Sequence, residues 1–283
     1  MTSIHPDQPI HQLLSIETPK FNDEEIERHR IFMLLSLTLV YDNWCIYRTD
    51  HKMLARYVKH DPSRYFNDYL GHNIGAILVN PDHEIVAASM NCNHLYNNST
   101  QHAETRLVRK AMRIYNRKNY RSDRRKPKNL KGYSQVLQDH TIYTTLESCS
   151  QCSGIMDLAN VSTVVYAQKD PGQYQIGNIL YNLHKQEEQY GAPLPIAADF
   201  LSIYTSIEKA WDQYDKTELS PRRRPSLTGF LRSLPAYDAY KLAKRSFEGL
   251  EPRFEKNKSI YKLAIAFREG HKHLTDRDAL FGP

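Results

Sequence analysis

His102, Glu104, Cys149 and Cys152 are the residues whose types and spacing can do chemistry together. One imidazole and two thiolates are the donor set of a catalytic zinc site, in which three protein ligands leave a fourth position for water and lower its pKa to about 7. Glu104 lies two residues past His102, about 200° further round a helix, so it is no second ligand on the same face. At a helix start it still reaches the water and can accept its proton. Cys149-Ser-Gln-Cys152 at the start of another helix sets both sulfurs in the positive end of a macrodipole, which favours thiolate. An activated water, a proton shuttle and a water-excluding pocket are what hydrolysis of a ring-bound amine requires. Each motif alone is weak: H-x-E occurs by chance, and C-x-x-C also serves as a redox pair or half of a structural zinc site. Cys45 or Cys92 is the candidate fourth ligand for a closed, non-catalytic site.

The order of elements favours the catalytic reading. Ile74 to Val79 is an apolar run, Asn80-Pro81-Asp82 supplies turn chemistry, and Glu84 to Ala88 completes a hairpin. After His102, the side chains of Ala103, Leu107, Val108, Ala111, Met112 and Tyr115 share one helical face. A third strand is expected over Thr141 to Leu146, a helix from near Cys149 to about Asn160, and a fourth strand over Thr163 to Ala167. This alternation predicts an α/β sandwich with a partly parallel sheet. Upstream, Asn22 with Glu25 forms a capping box ahead of a helix that is apolar on nearly every side from Ile31 to Val40.

With 283 residues, 40% hydrophobic, the chain buries one good core with room for helical additions. Residues 1–20 carry little periodicity and are expected to be a disordered tail; residues 21–215 form the zinc-binding domain, its motifs within 70–175; residues 216–283 form a helical C-terminal extension. From about Leu194 onward the pattern turns helical. Four cysteines, no export signal and no apolar run long enough to span a bilayer point to the cytoplasm. The net charge of +6 is concentrated in a basic insertion over residues 117–140.

H-x-E followed by P-C-x-x-C is the signature of zinc nucleobase deaminases, which this chain carries except for the proline. The chain resembles the tRNA adenosine deaminase branch of the cytidine-deaminase-like superfamily, over Ile74–Val79, Met90-Asn91, His102-Ala103-Glu104, Thr145–Gly154 and Val164–Asp170. The resemblance implies a three-layer α/β/α fold with a mixed central sheet, zinc on His102, Cys149 and Cys152, and Glu104 as proton shuttle. It also implies substrate contacts at Asn91 and Ala103, Asp170 near the nucleic acid, and a homodimer whose second chain completes the pocket. Ser148 stands where the family carries proline, and serine there is able to cap the following helix. Residues 48–70 and the basic segment are insertions relative to the family.

The favoured substrate is adenine in tRNA or another single-stranded nucleic acid, converted to hypoxanthine, with Arg121, Arg124, Arg125 and Lys126 on phosphates. A solvated charged loop is the plainer reading of those four. Deamination of a free base or nucleotide of the guanine or cytosine type is the alternative, and a non-catalytic nucleic-acid-binding subunit that keeps zinc for structure is the second.

Overall fold

Asn22 starts the first helix as its neighbours predict. Its Oδ1 accepts the Glu25 N–H at 3.0 Å, and Glu25 Oε2 accepts the Asn22 N–H at 2.9 Å, the reciprocal pair of a capping box. The computed structural model describes residues 9–122, 136–184, 191–217 and 226–271, and carries this helix, α1, over Asp23–Asp42. Every residue from Ile31 to Tyr41 is buried, which a helix achieves only when it is covered all round. On one side lies the central sheet; on the other lie α8 (Leu234–Glu248) and α9 (Glu255–Glu269).

The sheet has the spatial order β4 (Ile85–Met90), β3 (Gly75–Val79), β5 (Thr141–Thr144), β6 (Thr163–Tyr166), β7 (Leu194–Ala197). Strand β3 runs antiparallel to both neighbours, whereas β5, β6 and β7 are parallel. All five β3 residues are buried, as expected of a strand covered on both faces. Helix α1 covers one face, and α3 (Ala103–Ser122) packs on β4, β3 and β5 from the other. Helix α4 (Ser150–Leu158) follows β5 and lies beside α3; α5 (Ile176–His184) follows β6 and packs against α4 and β7. This is the three-layer α/β/α arrangement with a mixed sheet.

One expectation fails, and two further segments carry structure that the sequence pattern did not assign. Leu194 opens a fifth strand and not a helix; α6 (Ser202–Thr217) begins only after it. Pro195 cannot donate to a ladder, and β7 accommodates it at the sheet edge. Within residues 48–70, helix α2 (His51–His60) is followed by a strand, β2 (Asn67–Asp68), that pairs in parallel with β1 (Cys45–Ile46). The segment expected to be a frayed tail includes a short 3-10 turn at Ile10–Leu13 with Leu13 buried, held where Asn178 and Asn182 Nδ2 donate to the Leu14 and Leu13 carbonyls, each at 2.7 Å. Residues 1–8 lie outside the described residues. Among the described residues, no helix is long and apolar enough to cross a membrane.

The C-terminal helices are tied to the rest by buried charge. Glu27 on α1 accepts the backbone N–H of Arg253 at 2.8 Å and the Asn257 Nδ2–H at 2.9 Å. Asp61 accepts from Tyr237 Oη and Lys241 Nζ, both at 2.7 Å. Burial pushes both carboxyls up, but these hydrogen bonds outweigh it and hold Glu27 and Asp61 below their ordinary values of 4.5 and 3.8. Groups depressed in the folded state add stability above their unfolded pKa and lose it as pH falls through the folded one. The melting temperature is therefore expected to drop as pH is lowered below 4.5, and Glu27→Gln to flatten part of that drop in a calorimetric pH series.

Candidate active site

Two helix starts carry the three candidate ligands. The His102 carbonyl accepts the Arg106 N–H at 3.0 Å, which places His102 at the mouth of α3. Cys149 is the N-cap of α4, in extended conformation with φ −70° and ψ 172°, and Cys152 lies in that helix's first turn. Because α3 and α4 pack side by side, their N-termini converge. Cys149 Sγ lies 3.3 Å and Cys152 Sγ 3.5 Å from His102 Nδ1, and all three ligand atoms lie within 4.8 Å of one another. A tetrahedral zinc, with Zn–S near 2.3 Å and Zn–N near 2.0 Å, sets sulfur and nitrogen about 3.5 Å apart, so the donor set fits that ion.

The electrostatics agree with the donor chemistry. Cys149 falls to about 4, chiefly because the Cys152 thiol hydrogen-bonds to its sulfur and also through His102; the same bond and burial push Cys152 up. The contact between the two sulfurs and His102 thus favours thiolate at Cys149, the form in which a cysteine binds a metal. His102 is raised, first by its hydrogen bond to Cys149. Both cysteines of the motif are free thiols, not a disulfide. Cys45 is engaged elsewhere, donating toward Gly71 O and Asn73 Oδ1, and Cys92 toward Met90 O; neither joins the cluster. Three ligands without a fourth from the described residues are the open arrangement of a catalytic site.

Glu104 sits against this cluster and is only 4% exposed. Cys152 Sγ–H donates to its Oε2 at 3.4 Å; Thr144 and Ser148 hydroxyls donate to its Oε1 at 3.3 and 3.1 Å. Burial, and then the Cys149 thiolate, push its carboxyl above the ordinary value. Ser148 therefore departs from its expected role: α4 has no side-chain cap, and the serine hydroxyl goes to Glu104. A carboxylate short of partners in the interior outbids a helix N–H that water can reach.

Glu104, His102 and Cys149 open onto a cleft of about 210 Å³. Asn91 lines it from the end of β4, 2% exposed, with its Oδ1 accepting the Asn93 N–H at 3.1 Å. Asp170 lines it too, while its carboxylate caps the following turn by accepting the Gly172 N–H at 2.8 Å; wall and cap are combined in one residue. Ala103, between the cleft residues His102 and Glu104, is itself fully buried in the core and is not among the residues lining the cleft. Arg121 falls in the last turn of α3, and Arg124, Arg125 and Lys126 lie outside the described residues.

Two contributions escape the motifs. Asn93 also lines the cleft, and its Oδ1 is buried with no hydrogen-bond partner, an acceptor that awaits a donor. The roof comes from the C-terminal extension: Leu227, Thr228 and Leu231, on and just after α7 (Leu227–Phe230), close one side. Asn73 Nδ2 donates to Leu231 O at 3.0 Å and Tyr57 Oη to Arg232 O at 2.8 Å, which fix that roof to the core. The Asn-Cys-Asn triplet was the only signal for Asn93, and nothing in the local pattern marks the roof.

Gly71 fixes the position of Asn91. A Cβ there meets Asn91 Oδ1 at 2.3 Å and Asn91 O at 2.7 Å, so no larger residue fits without moving the asparagine. Gly71→Ala is expected to raise KM about tenfold, the cost of one misplaced polar contact, with zinc content unchanged; steady-state kinetics beside metal analysis check this.

Residues 48–168 match the sequence model of the cytidine and deoxycytidylate deaminase zinc-binding region. Among solved structures, the chain is similar to a tRNA:A34 deaminase studied for A-to-I editing at the wobble position, at 21% identity over 59% of this chain and 95% of that one, with a TM-score of 0.35. It is also similar to the guanine deaminase of Bacillus subtilis (20% identity, 72% and 99% covered, TM-score 0.33) and that of Nitrosomonas europaea (14%, 86% and 97%, 0.37). The matched region holds His102, Cys149, Cys152, Glu104 and Asn91, so residues 48–168 carry a zinc-binding region of the cytidine and deoxycytidylate deaminase type.

Proposed function

We propose that this protein hydrolyses the exocyclic amine of a nucleobase, and that its substrate is adenine in an unpaired stretch of nucleic acid, converted to hypoxanthine. The observation that carries this reading is a buried carboxylate, Glu104, facing the His102, Cys149 and Cys152 cluster at the floor of a cleft sized for one base. Held by those three residues, zinc supplies the Lewis acidity that makes water a nucleophile near neutral pH. Glu104 then does the proton work: its carboxylate passes a first proton from the attacking water to the ring nitrogen, and then a second, from the hydroxyl so formed, to the amine that leaves as ammonia. Thr144 and Ser148 hold Oε1, and Oε2 lies 3.4 Å from Cys152 Sγ, beside the ligand cluster. The Asn91 carboxamide and the free acceptor on Asn93 hydrogen-bond the base edge, and Leu227 and Leu231 exclude bulk water.

A second reading has its own support. The roof closes one side of the cleft, which favours a small substrate such as a free base or nucleoside. Incubation with single-stranded DNA, RNA, tRNA, free nucleosides and free bases, with products identified by mass, separates the two. Exchange of amine for carbonyl in a strand and not in the monomers supports the first reading; the reverse supports the second. No exchange anywhere contradicts both. The same reading includes a homodimer: Leu158 and Tyr174, 79% and 80% exposed, are apolar surface that a second copy would cover, and sedimentation checks it. Four cysteines, none of them in a disulfide, suit the cytoplasm.

A further inference from the structure

Beside the cleft stands a cluster the mechanism does not use. Tyr47 and Tyr69 lie against each other, tilted by 32° with centroids 3.9 Å apart, and His94 meets them at 5.4 and 5.3 Å. The Arg232 guanidinium stands 5.2 Å over Tyr47 and 5.8 Å over Tyr69. Tyr69 is buried, but Tyr47 and Arg232 are half-exposed and His94 is exposed, so the cluster presents a surface. Its place next to the cleft is fixed three times. His72 lines the cleft and shares a 2.7 Å hydrogen bond with Tyr69; Asn93 and Leu231 line it and are the chain neighbours of His94 and Arg232.

The chemistry of this cluster is specific. Arg232 Nε donates to Thr228 O at 3.2 Å, and the N–H groups of its two terminal nitrogens have no partner among the described residues. A guanidinium fixed at one nitrogen with its fork free is a ready phosphate ligand. A half-exposed tyrosine and an exposed histidine beside it offer a stacking face to any base, since every base has a π-face. Arg48 extends the positive edge, donating to the exposed Tyr65 hydroxyl at 3.1 Å. Packing accounts for the buried Tyr69 and for Arg232 lying over the two rings; it does not account for the terminal N–H groups of Arg232 and the exposed His94 ring at the rim of a base-sized cleft.

We propose that Tyr47, His94 and Arg232 form a second subsite, which takes the nucleotide flanking the reacting base, stacking on its ring and holding its phosphate. The inference rests on the polymer reading above and names the recognition that reading needs. It places specificity for a strand over a free base in Tyr47 at the edge of the 48–70 region, His94 after β4 and Arg232 of the C-terminal extension, outside the zinc motifs.

The test is binding without turnover. Fluorescein-labelled oligothymidylate, which has no exocyclic amine, and an abasic phosphodiester strand of equal length are titrated by anisotropy across a salt series. Arg232→Gln is expected to weaken both strands and to reduce the salt slope by about one, while Arg232→Lys keeps the slope. Tyr47→Ala, on the exposed side of the cluster, is expected to weaken oligothymidylate about tenfold and leave the abasic strand unchanged. Variants that bind both strands as the wild type does overturn the subsite. So does a wild type that binds neither strand yet deaminates a free base, in which case the deaminase reading stands alone. Strand binding with these dependences but no amine exchange on any substrate leaves the subsite and contradicts the deaminase reading.

Discussion

Glu104→Ala is expected to lower kcat/KM by about ten-thousand-fold, the upper range for a group that carries proton transfer, while one zinc per chain is retained. Both halves of the result matter. Glu104 touches the cluster through a single hydrogen bond from Cys152 and is not among the three ligand atoms, so its loss leaves the donor set whole. Its carboxylate is the one hydrogen-bonded to the ligand cluster where it opens onto the cleft, and Glu104→Gln, which keeps the shape and loses the basicity, is expected to fall as far. Ample turnover by either variant would remove the carboxylate from the chemistry. Zinc loss in both would turn Glu104 into a structural residue. Metal analysis and steady-state rates on the same preparation separate these outcomes.

Cys152→Ser carries the second large effect. The sulfur is fully buried between His102, Glu104 and the first turn of α4, where no other thiol can substitute for it. Its loss is expected to cost more zinc affinity than the roughly 10–100-fold that outer-shell changes cost, and to abolish activity at stoichiometric metal. Chelation of the wild type is expected to reproduce the inactive state, and added zinc to reverse it. Competition with a chromophoric chelator measures the affinity directly. Cys45→Ser is the control: that thiol is pushed up to about 11 by burial and donates to backbone, so the metal should be unaffected.

The ligands were legible because the chemistry constrains them locally. An imidazole at the mouth of one helix and two thiols in the first turn of the next are short-range patterns, and the hairpin and parallel strands needed to align those helices show in apolar runs bounded by turn residues. The capping box of α1 was equally readable, since Asn22 and Glu25 satisfy each other without help from the rest of the fold. What failed depends on distant partners. Leu194–Ala197 becomes a strand because β6 offers an edge, a fact no four-residue window with a proline contains. Ser148 turns from capping to Glu104 because the carboxylate arrives from 44 residues upstream. The roof over the cleft is supplied by Leu227–Leu231, whose role follows from how α8 packs on α1 and from the hydrogen bonds of Asn73 and Tyr57, not from any motif.

The central claim is that His102, Cys149 and Cys152 hold one zinc with a position open toward Glu104. X-ray absorption at the zinc edge of the purified protein tests it most directly. The account predicts two sulfurs at about 2.3 Å, one imidazole nitrogen near 2.0 Å and one further light atom not supplied by the chain. A shell of three or four sulfurs, or a purified protein without zinc whose Cys149 and Cys152 form a disulfide, would contradict it.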